Sequence, residues 1–238
     1  MFGRFLELSV DTDDIAASVQ FYERLGFRQL TTGDTWPHRY GVLGDGRLCI
    51  GLHQRRADSP MLSFVHPGLA QHMHELREAG FEPHFTRLGD SDFHELQLRD
   101  PAGQAIALLE ARTFSPSRQA NAESLCGWFS GYSMPTLDID ASQAFWEHAG
   151  FIALEMPDDP LMQLALTSDT LTLTLHRPRL FEMPLLVFTD PQMAERVARL
   201  EAMDIHGDAD LPRGLDRRAN ALIASPEGMH LLLLQGEA

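Results

Sequence analysis

His72 and His74 stand two residues apart, the tightest histidine spacing in the chain. Close histidines are the usual start of a metal site or an acid–base pair. On a helix, that spacing turns the two rings roughly 200° apart, so they cannot share one ion and are expected to face solvent. "FHEL" (93–96) lacks the second histidine of a zinc-protease helix and reads as a strand. His148 falls in the last turn of a helix, where an imidazolium suits the dipole. His66, His84, His206 and His230 have no recurring neighbours and are expected at the surface. "GDGRL" (44–48) is a hairpin turn and "RLGDSDF" (87–93) a loop, neither with the spacing of a phosphate cradle. No Ser-His-Asp order stands in a recognisable context.

What remains is a polar and aromatic set in the first half. Glu7 and Ser9 lie with Phe5 on one face of the strand "RFLELSV", and Leu6, Leu8 and Val10 on the other. In "RLCIGLH", residues 49, 51 and 53 share a face, which places His53 one pleat beyond Gly51. "TWPHRYG" (35–41) supplies Trp36, His38, Arg39 and Tyr40, and the next candidates are His94 and Glu95. A carboxylate buried on a strand face costs several kcal/mol when dry and unpaired. Glu7 must therefore be hydrated, hydrogen-bonded or paired, either as a ligand anchor or with a neighbouring Arg or His. Trp36 and Tyr40 offer stacking surface or simple packing.

The elements that must position these residues alternate between strand and helix. After "RFLELSV", Asp13 or Asp14 can cap a helix carrying Ile15, Val19, Tyr22 and Leu25 at helical spacing, and Gly26 closes it. Short strands follow at "FRQLTT", "RYGVLGD" and "RLCIGLH". The order then repeats: the strand "PMLSFV", the helix "LAQHMHELREAG", and the strands "EPHFTRL", "DFHELQL" and "AIALLEA". This is βαβββ, twice.

The whole pattern is then written again. "DDIAASVQFYERLGF" (13–27) aligns with "LDIDASQAFWEHAGF" (137–151), "RLCIGLHQ" (47–54) with "TLTLTLHR" (170–177), "PMLSFVHP" (60–67) with "PLLVFTDP" (184–191), and "DPAGQAIALLE" (100–110) with "SPEGMHLLLLQ" (225–235). The sequence predicts two tandem domains, 1–113 and 126–238, joined by a polar linker at 114–125. The second copy keeps His176 at the place of His53 but has Gly131 for Glu7, and Ala219 and Asn220 for His94 and Glu95. Any ligand pocket is expected in residues 1–113.

The composition excludes some classes. A net charge of −15, with arginine supplying all nineteen basic residues, repels nucleic-acid phosphates and anionic membranes. No apolar run approaches the roughly 18 residues of a membrane span. The start "MFGRFLELSVDTDD" lacks the basic and apolar regions of a secretion signal. Two cysteines, Cys49 and Cys126, make no disulfide framework or zinc cluster, so a cytoplasmic location is expected.

With "FYxxLGF" near the start and "DPxGxxIxLLE" at the end of the first copy, the sequence resembles the vicinal oxygen chelate superfamily, which includes glyoxalase I, bleomycin-resistance proteins and extradiol dioxygenases. The resemblance covers 1–113 and again about 126–236. It implies an α+β fold in which paired βαβββ modules wrap eight strands into a cup. Metal-dependent members place ligands on the first and fourth strands of both modules. Carried over, those positions are Glu7, Gly51, Pro60 or Met61, and Ala107 in the first copy, and Gly131, Thr174, Pro184 or Leu185, and Leu232 in the second. A divalent ion needs three or four converging donors, so neither a metal nor another cofactor is expected. In such a cup the first and fourth strands are neighbours, which would bring Glu7 and His53 within reach.

Three readings follow. The first is a metal-free binding protein of the bleomycin-resistance kind, holding a small cationic or aromatic molecule with Glu7, Ser9, Trp36, His38, Tyr40, His53, His94 and Glu95. The second is a glyoxalase-, lyase- or dioxygenase-type enzyme with Glu7 and His53 in acid–base roles. The third is a structural role with a filled cup. The two domains are expected to pair within one chain or through a homodimer.

Overall fold

The computed structural model describes the chain except residues 33–35, 56–57, 90–92, 111–123, 155–160, 208–209 and 237–238. The linker expected at 114–125 therefore lies outside the described residues up to 123. Its last member, Leu125, donates its backbone N–H to the carbonyl of Leu25 at 2.7 Å.

The first half runs β1 (Arg4–Asp11), α1 (Ile15–Arg24), β2 (Arg28–Leu30), β3 (Tyr40–Gly44), β4 (Cys49–His53), β5 (Met61–His66), α2 (Leu69–Glu78), β6 (Phe85–Arg87), β7 (Glu95–Arg99) and β8 (Ala105–Glu110). These strands form one eight-stranded sheet in the order β2-β3-β4-β1-β5-β8-β7-β6. β1 pairs parallel with β4 and antiparallel with β5, which pairs parallel with β8. The two modules thus meet along β1 and β5 at the middle of the sheet.

The second half runs β9 (Trp128–Pro135), α3 (Ile139–His148), β10 (Ile152–Leu154), β11 (Leu164–Thr167), β12 (Thr172–His176), β13 (Leu185–Asp190), α4 (Met193–Ala202), β14 (Ala221–Ala224) and β15 (His230–Gln235). Its sheet has the order β10-β11-β12-β9-β13-β15-β14. Eight strands are expected here, and the described residues form seven. Between α4 and β14 the described residues include Asp204 at φ 60°, Gly207, Pro212 and Gly214, turn formers that join no ladder among the described residues.

The repeated sequence builds repeated local structure. Asp14 caps α1 by accepting from the Ala17 amide at 3.1 Å, and Asp138 caps α3 from Ala141 at 3.0 Å. Thr12 bonds Ser18 at 2.9 Å, as Thr136 bonds Ser142. Gly26 (φ 92°) and Gly150 (φ 104°) end their helices in the left-handed region, where a side chain would be strained.

Strict alternation fails at one place in each copy. Leu6 has no partner in the β1–β5 register, nor Ser130 in that of β9–β13, so each is a bulge. The bulge corrects the expected faces of β1. Phe5 packs with the helix-side core, while Leu6 joins the cup-side cluster of Val42, Met61, Val65, Ala105, Ala107 and Leu109.

The helix-side faces of both sheets form one core. Leu8, Ile50, Phe64 and Ile106 belong to the same cluster as Tyr132, Leu173, Phe188 and Leu231. At about 1.5–3 kcal/mol per buried large apolar side chain, this shared layer ties the halves together. Polar contacts across it are reciprocal. Trp146 Nε1–H on α3 donates to Asp100 Oδ2 in the β7–β8 turn at 3.1 Å, and Tyr22 Oη–H on α1 donates to Glu227 Oε1 in the β14–β15 turn at 2.6 Å. Among the described residues, no helix is long and apolar enough to cross a membrane.

Candidate functional site

Parallel pairing of β1 with β4 sets Ser9 opposite Gly51 and Asp11 opposite His53. Glu7, one pleat before Ser9, then leans its carboxylate into the space above Gly51. Glu7 and His53 are each 1% exposed. The carboxylate is held by three side chains: Tyr40 Oη–H donates to Oε2 at 2.6 Å, Ser9 Oγ–H to Oε1 at 2.9 Å, and His53 Nε2 lies 3.2 Å from Oε1. Three donors to one anion offset the cost of drying it, and bonds to a charged acceptor are the stronger kind.

The network runs outward from there. His53 Nδ1 lies 2.9 Å from Nε2 of His38, which is half-buried. Burial holds the His38 imidazole below its ordinary range; His53 and Arg55 add to this, and Asp11 opposes it. Trp36 covers the group, with its ring centroid 5.3 Å from that of His53, 5.9 Å from Tyr40 and 5.5 Å from His38. From the other module Phe93 meets Trp36 edge-on at 5.7 Å. Arg55 lies 5.7 Å from the Trp36 ring centroid and 3.6 Å from Asp11.

Six of the candidates, Glu7, Ser9, Trp36, His38, Tyr40 and His53, form one connected group. His94 and Glu95 do not join it. Glu95 sits opposite Leu109 on the cup side of β7, but Arg87 Nη2 at 2.6 Å and Gln97 Nε2 at 2.7 Å occupy its oxygens. His94, the neighbouring residue, turns away, pairing with Glu110 and with the Gly89 carbonyl at 3.1 Å. Adjacent strand residues face opposite ways, so one of this pair had to leave the cup.

Two members escape the sequence reading. Ser63 bonds Ser9 at 2.7 Å and pairs with Glu7 across the β1–β5 ladder. It corrects the third chelate position from Pro60 or Met61 to Ser63, and the β9–β13 register likewise places Val187 rather than Pro184 or Leu185 opposite Gly131. The ladder fixes register where alignment leaves slack. Phe93 stands beside three undescribed residues and carries no sequence signal of its own. The expectation for His72 also changes. It stacks on His66 at 3.9 Å and bonds the Met1 carbonyl and Glu75, each at 2.8 Å, while His74 remains 80% exposed.

The second cup is built differently. Met162, Phe181, Leu185, Val187, Leu211, Leu222 and Leu232 cluster on its concave side. His176, fully buried, accepts from Ser133 Oγ–H on Nδ1 at 2.7 Å and donates from Nε2 to the Phe181 carbonyl at 3.1 Å. Both ring nitrogens are satisfied, and burial pushes its pKa down.

A chelated ion does not fit the first cup. Its four inward positions are Glu7, Gly51, Ser63 and Ala107, which provide one strong donor. A Cβ on residue 51 would stand 2.6 Å from Glu7 Oε2 and closer still to Oε1, so the carboxylate fills the place of a second ligand. Among the described residues, no group of three His, Cys, Asp or Glu side chains is arranged to hold an ion.

No protein-family model matches the sequence, and no curated protein does. Solved structures match over nearly the whole chain. Catechol 2,3-dioxygenase aligns at 13% identity and a TM-score of 0.58, covering 98% of this chain and 88% of that one. A variant of homoprotocatechuate 2,3-dioxygenase from B. fuscum, in complex with HPCA, aligns at 14% and 0.64 (99% and 72%). The 2,2',3-trihydroxybiphenyl 1,2-dioxygenase of Sphingomonas wittichii strain RW1 aligns at 15% and 0.62 (98% and 90%). The chain therefore has the tandem vicinal-oxygen-chelate fold shared by extradiol dioxygenases. Fold at this identity does not carry activity.

Proposed function

We propose that this protein is a metal-free member of the glyoxalase and bleomycin-resistance kind that binds a small aromatic cation at the mouth of its first cup. One observation carries the reading: a buried carboxylate, Glu7, gripped by Ser9, Tyr40 and His53 beneath the aromatic layer of Trp36 and Phe93, with Gly131 and an apolar filling at the matching place in the second cup. An anion under a low-dielectric aromatic layer attracts positive charge, and ring faces add cation–π attraction. The second half acts as the built-in partner of the first, and a chain with only two cysteines suits a reducing cytoplasm.

The test is thermal denaturation with a panel of protonated arylalkylamines. A binder at a hundred times its Kd stabilises the fold by about 2.7 kcal/mol. Trp36→Ala is expected to abolish that stabilisation while the protein stays folded. If no aromatic cation stabilises the wild type, the reading fails. The second reading, an enzyme of the dioxygenase or glyoxalase type, is favoured by the fold neighbours and opposed by the donor set. One tightly held transition-metal ion per purified chain would reverse that order.

A further inference from the structure

Arg55 and Arg196 are almost equally buried, with side chains 22% and 20% exposed, yet only one of them is satisfied. Arg196 donates to Asp190 Oδ2 at 2.8 Å and to the Ser124 carbonyl at 2.9 Å. Among the described residues, the buried Nε of Arg55 has no hydrogen-bond partner, and Asp11 Oδ1 stands 3.6 Å from it, an ion contact too long to be a bond. A guanidinium carries five N–H donors, and a part-buried one left unbonded calls for an acceptor from outside the chain. There is room for one. Arg55 lines a cleft of about 450 Å³ in which Asp11, Asp13 and Asp14 face Glu227 of the second half. The same guanidinium lies 5.7 Å from the Trp36 ring centroid, so it joins this cleft to the mouth of the first cup. The second half lacks the arrangement: Pro135 stands opposite His176 where Asp11 stands opposite His53, and Pro178 takes the place of Arg55 two residues on.

Resting on the binding role just given, we infer that Arg55 receives a carboxylate of the ligand, so that the preferred ligand is an aromatic zwitterion of the amino-acid class, with an ammonium and a carboxylate on one frame. The planar guanidinium matches a carboxylate through two parallel N–H···O bonds. An anion without a positive charge of its own does not suit this place, because Asp11, Asp13, Asp14 and Glu227 repel it. A phosphate, with nearly two negative charges at neutral pH, suits it less still. A ligand that brings its own ammonium turns the same acids into an attraction, and Glu7 beneath Trp36 adds to it. Trp36, beside Arg55, supplies ring surface for the aromatic frame. A plain amine leaves the guanidinium unbonded. Arg55 is therefore the residue that separates an amino acid from the amine of the same ring.

Two measurements on the full-length protein test this. Calorimetric titration compares tryptamine, tryptophan and indole-3-propionic acid, and then phenethylamine, phenylalanine and 3-phenylpropionic acid. In at least one set the amino acid is expected to bind roughly tenfold or more tighter than the amine, the range of hydrogen bonds to a charged group, and the acid weakest. Arg55→Gln is expected to erase the preference by weakening the amino acid far more than the amine, and Arg55→Lys to keep part of it. Amine and amino acid binding alike to the wild type, or weakened alike by Arg55→Gln, removes Arg55 as the carboxylate receptor and leaves the cation-binding role standing. Binding of none of the six removes both. In proton–nitrogen spectra of the arginine side chains, the preferred amino acid is expected to shift the Arg55 Nε–H signal, assigned by its loss in Arg55→Gln; a signal that stays in place at saturation overturns the inference.

Discussion

The Glu7 carboxylate and the bare Cα of Gly51 occupy one place between them. The acid lies where any side chain at 51 would begin, with Oε2 2.6 Å from an ideal Cβ. A chelating side chain at 51 and the present Glu7 network therefore exclude each other, and this chain has the network.

Gly51→Ala is accordingly expected to destabilise the protein by about 1–3 kcal/mol, because the carboxylate must leave Ser9, Tyr40 or His53 to make room. In a Glu7→Ala background the same change should be close to neutral. A double-mutant cycle by urea denaturation checks the coupling, and additive effects would refute the shared space.

Tyr40→Phe removes one donor and leaves Oε2 of a buried carboxylate short of a partner. A loss of about 1.5–3 kcal/mol is expected, the range for hydrogen bonds to charged groups. Tyr40 is half-buried, so the ring itself should be retained without repacking, and a midpoint unchanged in denaturation would show the bond to be idle.

Across the shared core, Trp146→Phe strands the buried Asp100 oxygen that accepted the indole N–H, and Tyr22→Phe removes the phenol donor of the half-buried Glu227. Each is expected to cost about 1–3 kcal/mol. Because one apolar layer serves both halves, each variant should still unfold in a single transition seen alike by fluorescence and circular dichroism. Two separated transitions would contradict the common core.

Three histidines, His38, His66 and His176, have folded-state pKa values pushed below the ordinary 6.5, in each case first by burial. As pH falls through 6.5 the unfolded chain takes up protons before the folded one does, so stability declines between 6.5 and the lower folded values and is fully present above that window. Asp45 and Asp100, raised from 3.8 by burial, act oppositely nearer their own range: acid relieves the cost of burying their charge. Denaturant midpoints between pH 5 and 8 should therefore rise to a plateau near neutrality. His176→Phe should flatten part of the rise.

Much of the frame was legible because its causes are local. Asp14 and Gly26 bound α1, and Asp138 and Gly150 bound α3, through their own side-chain and backbone preferences. The strand–helix order followed from apolar periodicity with caps and turn residues, and the duplication from segments that align between the two halves. Where a neighbour in space decides, that logic ran out. The bulge at Leu6 moved Phe5 to the opposite face, and among the described residues the second sheet has seven strands, with the turn formers Asp204, Gly207, Pro212 and Gly214 before β14.

The site divides in the same way. By itself the sequence determined that the first half holds Glu7, His38, Tyr40 and His53, that the second lacks the acid, and that Gly51 and Ala107 offer an ion nothing. Those are statements about side-chain chemistry at positions in a ladder. Only the tertiary structure decided that Glu7 meets three donors, that Ser63 stands opposite it, that Phe93 closes over Trp36, and that His94 turns outward to Glu110. Those contacts depend on strand register and on two modules folding toward each other. Distance in space is set there by pairing between strands far apart in the chain, which no local preference encodes.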